Sequence, residues 1–307
     1  MADAQAISIN PLKSGALIDA HSVSDPQAID RKAVLDAVAQ YGAVVIEGLD
    51  LPRESFPGFT ERFVDSFIEY RGGADNDRGS ALKGNNTVLT VTGGSAAKYA
   101  IPLHGEMFYT EPRPHTLFFA CVRPADDNGE TTIADGVAIW AALPEEIRTL
   151  FEEKKLVYRR HYDAATWKQV YKTDSMAEVR DLCASTGVQF TECADNAIET
   201  VHTCYAYYDH PAGRAFVNSI LTWAGREYLL GKDDSKLRFE DGSELPKDML
   251  WKINEICEEY TVNVAWKPGT VALVDNYRVM HGRRAYEDTG RDIIMRMSLS
   301  DLAETTA

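Results

Sequence analysis

The chain of 307 residues carries 47 acidic and 32 basic side chains, a formal net charge of −15. That charge repels phosphate backbones and anionic lipid surfaces, so neither nucleic acid nor a membrane is an expected partner. Its 45% hydrophobic and 26% charged residues exclude a disordered chain and give the balance of a soluble globular protein, with length for one large domain or two ordinary ones.

Met1 to Ala20 includes Asp3, Asn10 and Pro11 and lacks the basic start and apolar run of a secretory leader. No segment approaches the ~18 consecutive apolar residues of a membrane span, and a cytoplasmic location is expected. Asp30 is placed to cap a helix over 31–41, with Val34, Leu35, Val38 and Tyr41 on one face and Gly42 to end it. A strand over 43–47 follows. Pro144, Glu145 and Glu146 ahead of Ile147, Leu150 and Phe151, with Lys154 and Lys155 behind, predict a second helix whose charge order complements its dipole.

Around these helices the residues favour strands, expected over 87–92, 116–122, 156–162, 200–208, 270–274 and 292–299. Turn signals separate them at Gly72-Gly73, Gly93-Gly94, Asp126-Asp127-Asn128-Gly129, Pro211-Ala212-Gly213 and Lys267-Pro268-Gly269. No period repeats and no βαβ alternation appears, which points to one sandwich or jelly-roll domain with insertions, residues 162–197 reading as such an insertion. The five cysteines are odd in number and form no C-x-x-C pair. They read as free, mostly buried thiols and not as a disulfide framework or a thiolate zinc site.

Two imidazoles and one carboxylate on one side of a metal leave the opposite side open, the arrangement that non-haem iron oxygenases need for cosubstrate and dioxygen. Its sequence trace is H-x-D/E followed by a distant histidine, because residues two apart on a strand share a face. The chain has two such pairs, His104-Gly105-Glu106 and His161-Tyr162-Asp163, where chance gives about one. The first lies among Pro102 and Gly105, as a strand end opening on a pocket does. The second follows Arg159 and Arg160, whose charges disfavour a metal if they face it, and His161 reads as a surface, hinge or cavity-lining residue. His281, beyond the strand expected over 270–274, is the candidate third ligand. Arg291, ten residues later, is placed to clamp a carboxylate, that of 2-oxoglutarate, with the Thr131 hydroxyl as its companion.

Three blocks, Leu103-His104-Gly105-Glu106-Met107, the run from Leu117-Phe118-Phe119 to Gly129-Glu130-Thr131-Thr132-Ile133-Ala134-Asp135, and Asp275-Asn276 through His281-Gly282-Arg283-Arg284, carry a resemblance across most of the chain to the TauD/TfdA family of Fe(II)- and 2-oxoglutarate-dependent dioxygenases. It is similar to the branch with glutamate in the triad, which includes syringomycin-type aspartyl hydroxylases, and more distantly to clavaminate synthase-like oxygenases. The resemblance implies a β-rich α+β fold with a double-stranded β-helix (jelly roll) core, flanking helices and insertions, forming a single domain over 1–307. It implies Fe(II) held by His104, Glu106 and His281, with 2-oxoglutarate and O2 as cosubstrates and the distal carboxylate of 2-oxoglutarate anchored by Thr131 and Arg291.

Where many members place two arginines four apart on the final strand, Arg291 and Arg296 are five apart and face opposite sides of a regular strand. Arg296 is the anchor instead if a bulge shifts the register. Halogenating relatives replace the carboxylate with a small residue, so Glu106 favours oxygen insertion, desaturation or epoxidation. Substrate contacts are expected from Asn85 and Asn86, whose other reading is a turn, and from Arg283 and Arg284, with Tyr99, Phe108, Tyr109 and Trp223 as pocket walls or plain core. His115, His202 and His210 receive no role. The expected activity is hydroxylation of a small amino-acid-like or carboxylated metabolite, free or tethered to a carrier protein, with release of succinate. A sulfonate, phosphonate or aromatic acid substrate, or a jelly-roll binding module without turnover, are the alternatives.

Overall fold

The computed structural model describes residues 7–72, 79–91, 97–228, 231, 234–287 and 290–302. Gly73, Thr92, Gly93 and Gly94, named above in turns and a strand, and residues 1–6 of the N-terminal stretch lie outside these residues. Two sheets form the core. The larger runs Ser8–Pro11, Ala16–Asp19, Ala43–Glu47, Val271–Asp275, Thr116–Arg123, Asp292–Ser298, Asn85–Thr90, Ser80–Leu82; the smaller runs Val262–Val264, Thr131–Asp135, Val279–Arg283, Ile101–His104. All pairings are antiparallel except that of Ala16–Asp19 with Ala43–Glu47. This is the double-stranded β-helix, with Leu117, Phe119, Ile133, Val274, Val279, Met295 and Met297 filling the space between the sheets.

Strand alternation explains the layering. Successive side chains of Thr116–Arg123 point to opposite faces: Leu117 and Phe119 go between the sheets, whereas Phe118 and Ala120 go outward beneath Val34, Leu35 and Val38 of the helix Arg31–Tyr41. That central strand is buried on both faces and reads as a continuous apolar run. Asp30 accepts the Ala33 amide and Gly42 ends the helix at φ 77°, as the sequence indicates. The second expected helix runs Glu145–Glu153, with Pro144 at its cap position and Lys154 just past its end.

A third sheet, Gln189–Glu192, Ile198–Cys204, Leu156–Tyr162, Ser235–Phe239, packs beside the jelly roll. The strand expected over 200–208 is two pieces, Ile198–Cys204 and Tyr208–His210, the latter in a hairpin with Gly213–Ala215. Within 162–197 two helices, Ala164–Tyr171 and Met176–Ser185, bury Trp167, Val170, Val179 and Cys183 against Tyr162 and Ile198. The helix Lys247–Tyr260, unforeseen in a chain read mainly as strands, buries Met249, Leu250, Ile253, Ile256 and Cys257, an i, i+1, i+4, i+7, i+8 spacing that carries its own helical signal. All five cysteines are free, three of them buried. Among the described residues no helix is long and apolar enough to cross a membrane.

Candidate metal centre

The smaller sheet brings His104, Glu106 and His281 together. His104 ends the strand Ile101–His104 and pairs directly with His281 on Val279–Arg283, so the two rings stand 4.4 Å apart, tilted by 43°. Glu106 follows in the turn after His104, its carboxylate Oε2 3.5 Å from His281 Nε2. One ligand atom from each residue lies within 4.8 Å of the other two.

Local chemistry fixes each ligand. The Pro102 carbonyl accepts from His104 Nδ1 at 3.0 Å, which selects the tautomer leaving Nε2 for a metal. At Gly105 a Cβ would collide with Phe108 and Val217, and at Gly282 with the Ile101 carbonyl and Thr132, so both glycines permit close approach beside a ligand. Met107 holds φ 52°, a costly conformation for a non-glycine residue that turns the chain sharply after Glu106. Asn276, fully buried, accepts the Glu106 amide at 2.8 Å and donates to the carbonyls of Glu106 at 3.0 Å and Pro114 at 2.8 Å. It ties the Glu106 turn to the approach to the His281 strand.

The donor set fits Fe(II). Two imidazoles and a carboxylate, only 2% exposed at Glu106 and 5% at His281, form a borderline-soft, anionic facial site. A carboxylate this deep is costly unless a positive charge answers it, and His281 Nδ1 is buried with no hydrogen-bond partner among the described residues.

Thr131, Arg283 and Arg291 gather beside the triad. Thr131 pairs with Arg283 and Ile133 with His281. Ile133 lies between the sheets, so Thr131, two residues away, points the same way about 7 Å along the strand. Its hydroxyl accepts from Trp266 Nε1 at 3.1 Å, leaving its own proton to donate. Arg291, 2% exposed, donates to the carbonyls of Gly129 at 2.8 Å and Val91 at 2.9 Å. Burial, with Arg283 nearby, pulls its pKa down to about 10, still protonated at neutral pH. Arg283 reaches the Tyr99 carbonyl at 2.6 Å, and both guanidiniums lie over the Tyr286 ring, at 4.8 and 5.3 Å.

Four expected site residues are not brought in. Arg296 shares the outer face with Ile294, which packs on the helical side; it bonds the Pro57 carbonyl, Thr60, Thr87 and Glu61. The bulge in the final strand falls at 292/293, before Arg296, and does not turn it inward. Arg284 is partly exposed in a two-bond pair with Glu258, at 3.0 and 2.9 Å, because it alternates with the inward Arg283. Asn85 accepts the amide and hydroxyl of Thr87, the turn role weighed above, and Asn86 is exposed toward Glu69. The second H-x-D pair is structural: His161 is exposed and Asp163 caps the helix Ala164–Tyr171. Phe108, Tyr109 and Trp223 are core, and Tyr99 is exposed. His115 stacks on Tyr277 and His210 pairs with Asp275 at 3.0 Å. Asn276 and Trp266 carried no role in the sequence reading.

A family model described as "Taurine catabolism dioxygenase TauD, TfdA family" matches residues 8–298. The chain is 24% identical to the dapdiamide synthesis protein DdaC of Enterobacter agglomerans, over 91% of each chain. It is 29% identical to a clavaminate synthase-like protein of Arabidopsis thaliana, over 85% of this chain and 83% of that one. Its fold is like that of a putative alpha-ketoglutarate-dependent taurine dioxygenase from Burkholderia xenovorans, with TM-score 0.59 at 16% identity, covering 96% of this chain and 93% of the other.

Proposed function

Because the chain belongs to the TauD, TfdA family of dioxygenases, we propose that it hydroxylates an unactivated C–H bond of a small amino-acid-like or carboxylated metabolite, free or carrier-tethered. Ferrous iron, 2-oxoglutarate and O2 supply the oxidising chemistry, 2-oxoglutarate leaving as succinate and CO2. The protein's share is placement. His104, Glu106 and His281, whose ligand atoms converge, would hold the metal and leave coordination positions for the cosubstrates. Thr131 and Arg291 receive the distal carboxylate of 2-oxoglutarate through a hydroxyl and a planar guanidinium; Arg283, beside Arg291, adds positive charge at that end.

The observation that carries this reading is the convergence of the three ligand atoms within 4.8 Å on a sheet whose next inward position is Thr131. The relatives' names, one for dapdiamide synthesis and one for likeness to clavaminate synthase, support a small-metabolite substrate. The test is a mass-spectrometric screen of amino acids, carrier-bound aminoacyl groups, sulfonates, phosphonates and aromatic acids with Fe(II), ascorbate and 2-oxoglutarate. A substrate gaining one oxygen with stoichiometric succinate, lost in Glu106→Ala, is the expected result. A sulfonate or aromatic product, or loss of two hydrogens, redirects the substrate or outcome; no substrate-dependent succinate from any class contradicts the reading.

A further inference from the structure

Beside the triad the third sheet buries a positive charge that no carboxylate answers among the described residues. In the register of that sheet Thr200 pairs with Arg160 and His202 with Tyr158, so these four side chains share its buried face. The face lies against the turn that carries Glu106: Tyr158 Oη accepts the Ser219 amide at 3.2 Å, Ser219 Oγ donates to the Gly105 carbonyl at 3.3 Å, and the Arg160 guanidinium lies over the Tyr109 ring at 4.6 Å. Tyr109 is within electrostatic reach of Glu106.

Arg160 is 3% exposed. It donates Nη1 to the Gly72 carbonyl at 2.8 Å and Nε to Thr200 Oγ1 at 3.3 Å, and makes no ion pair among the described residues. Its neighbour Arg113 shows the ordinary alternative, pairing with Glu111 at 3.0 Å while stacking between Phe108 and Tyr277. His202 is 5% exposed, and among the described residues neither ring nitrogen meets hydrogen-bond geometry, although the Gly187 backbone is near enough to favour its proton. A buried guanidinium without an anion and a buried imidazole without a partner are each costly in a finished core. An acid group that reached both would offset these costs.

We infer that Arg160 and His202 form a recognition site for an anionic group of the substrate, a carboxylate or sulfonate, held on the opposite side of the Glu106 turn from the smaller sheet. As a substrate subsite it rests on the oxygenase reading; as an anion site it does not. Arg160 is then the specificity residue, with the planar fork that binds an acid through paired hydrogen bonds, and Thr200 and Tyr109 hold it in place.

The test loads the protein with Mn(II) and 2-oxoglutarate, so that Thr131 and Arg291 are occupied, and titrates acetate, methanesulfonate and acetamide by calorimetry and by the fluorescence of Trp223, whose ring is 4.9 Å from Tyr158. At least one of the two anions binds saturably and acetamide does not; Arg160→Met weakens that binding about tenfold or more, and His202→Leu weakens it several-fold. Which anion binds names the acid. Anions that bind no better than acetamide, or variants that match the wild type, overturn the inference. If Arg160→Met does not fold, the anion–amide comparison and His202→Leu decide. Failure of 2-oxoglutarate to bind would count against the oxygenase reading alone, since the anion titration is read separately.

Discussion

Removing Asn276 should loosen the Glu106 turn and weaken the metal site together. Its side chain makes three hydrogen bonds, accepting the Glu106 amide and donating to the Glu106 and Pro114 carbonyls, at a fully buried position. Each bond is worth about 1 kcal/mol net, and each buried group left unsatisfied adds to the loss, so Asn276→Ala should cost about 3–5 kcal/mol. Glu106 then samples positions outside the facial site, and by analogy with other residues that orient metal ligands its affinity for a divalent metal should fall about 10–100-fold. Urea unfolding of the metal-free protein measures the first effect and Co(II) titration the second. Asn276→Asp keeps the bond to the Glu106 amide but sets a buried carboxylate against two carbonyls. Burial raises such a carboxyl's pKa, so this variant should regain stability as pH falls through that raised value. Asn276→Ala with the wild-type urea midpoint and wild-type Co(II) affinity would refute the role assigned to this residue.

The two arginines of the final strand should separate cleanly. Arg291→Met should raise the 2-oxoglutarate concentration for half-saturation of the Mn(II) protein about tenfold or more; an unchanged value would remove Arg291 as the anchor. Arg296→Met should leave that concentration alone and lower stability by about 2–4 kcal/mol, because its bonds to Pro57, Thr60 and Thr87 tie the outer layer to the sheet. The buried His202 titrates below the ordinary histidine value, chiefly from burial with Arg113 and Arg160 adding to it. The unfolded chain therefore takes up its proton first, near pH 6.5, and stability present above that pH is lost as pH falls. Melting temperatures between pH 7.5 and 5.5 should fall less steeply in His202→Leu than in the wild type; equal slopes would contradict this.

Much of the site was legible because its signals are local. His104-Gly105-Glu106 lies at a strand end whose geometry two residues determine, and the five-residue spacing of Arg291 and Arg296 already placed them on opposite faces. The helix over 31–41 carried its own cap and stop at Asp30 and Gly42. What escaped depends on segments remote in sequence. Asn276 stood in a quoted block, but its partners are 170 and 162 residues away. Trp266 reaches Thr131 across 135 residues. In the sequence Arg160 is only one of two adjacent cations beside His161; the register of Leu156–Tyr162 sets Arg159 outward and Arg160 inward. Arg283 and Arg284 divide in the same way, one toward the core and one toward Glu258, and two adjacent identical residues cannot show which is which without the face of their strand.

Anaerobic addition of Fe(II) and then 2-oxoglutarate, followed by visible absorption and iron analysis, bears most directly on the metal centre. A single iron per chain and a charge-transfer band that requires both additions, with iron binding and band lost in His281→Ala and in Glu106→Ala, is the result that the geometry of His104, Glu106 and His281 leads to. A wild-type chain that binds no iron, or a His281→Ala variant that keeps the full band, would contradict it.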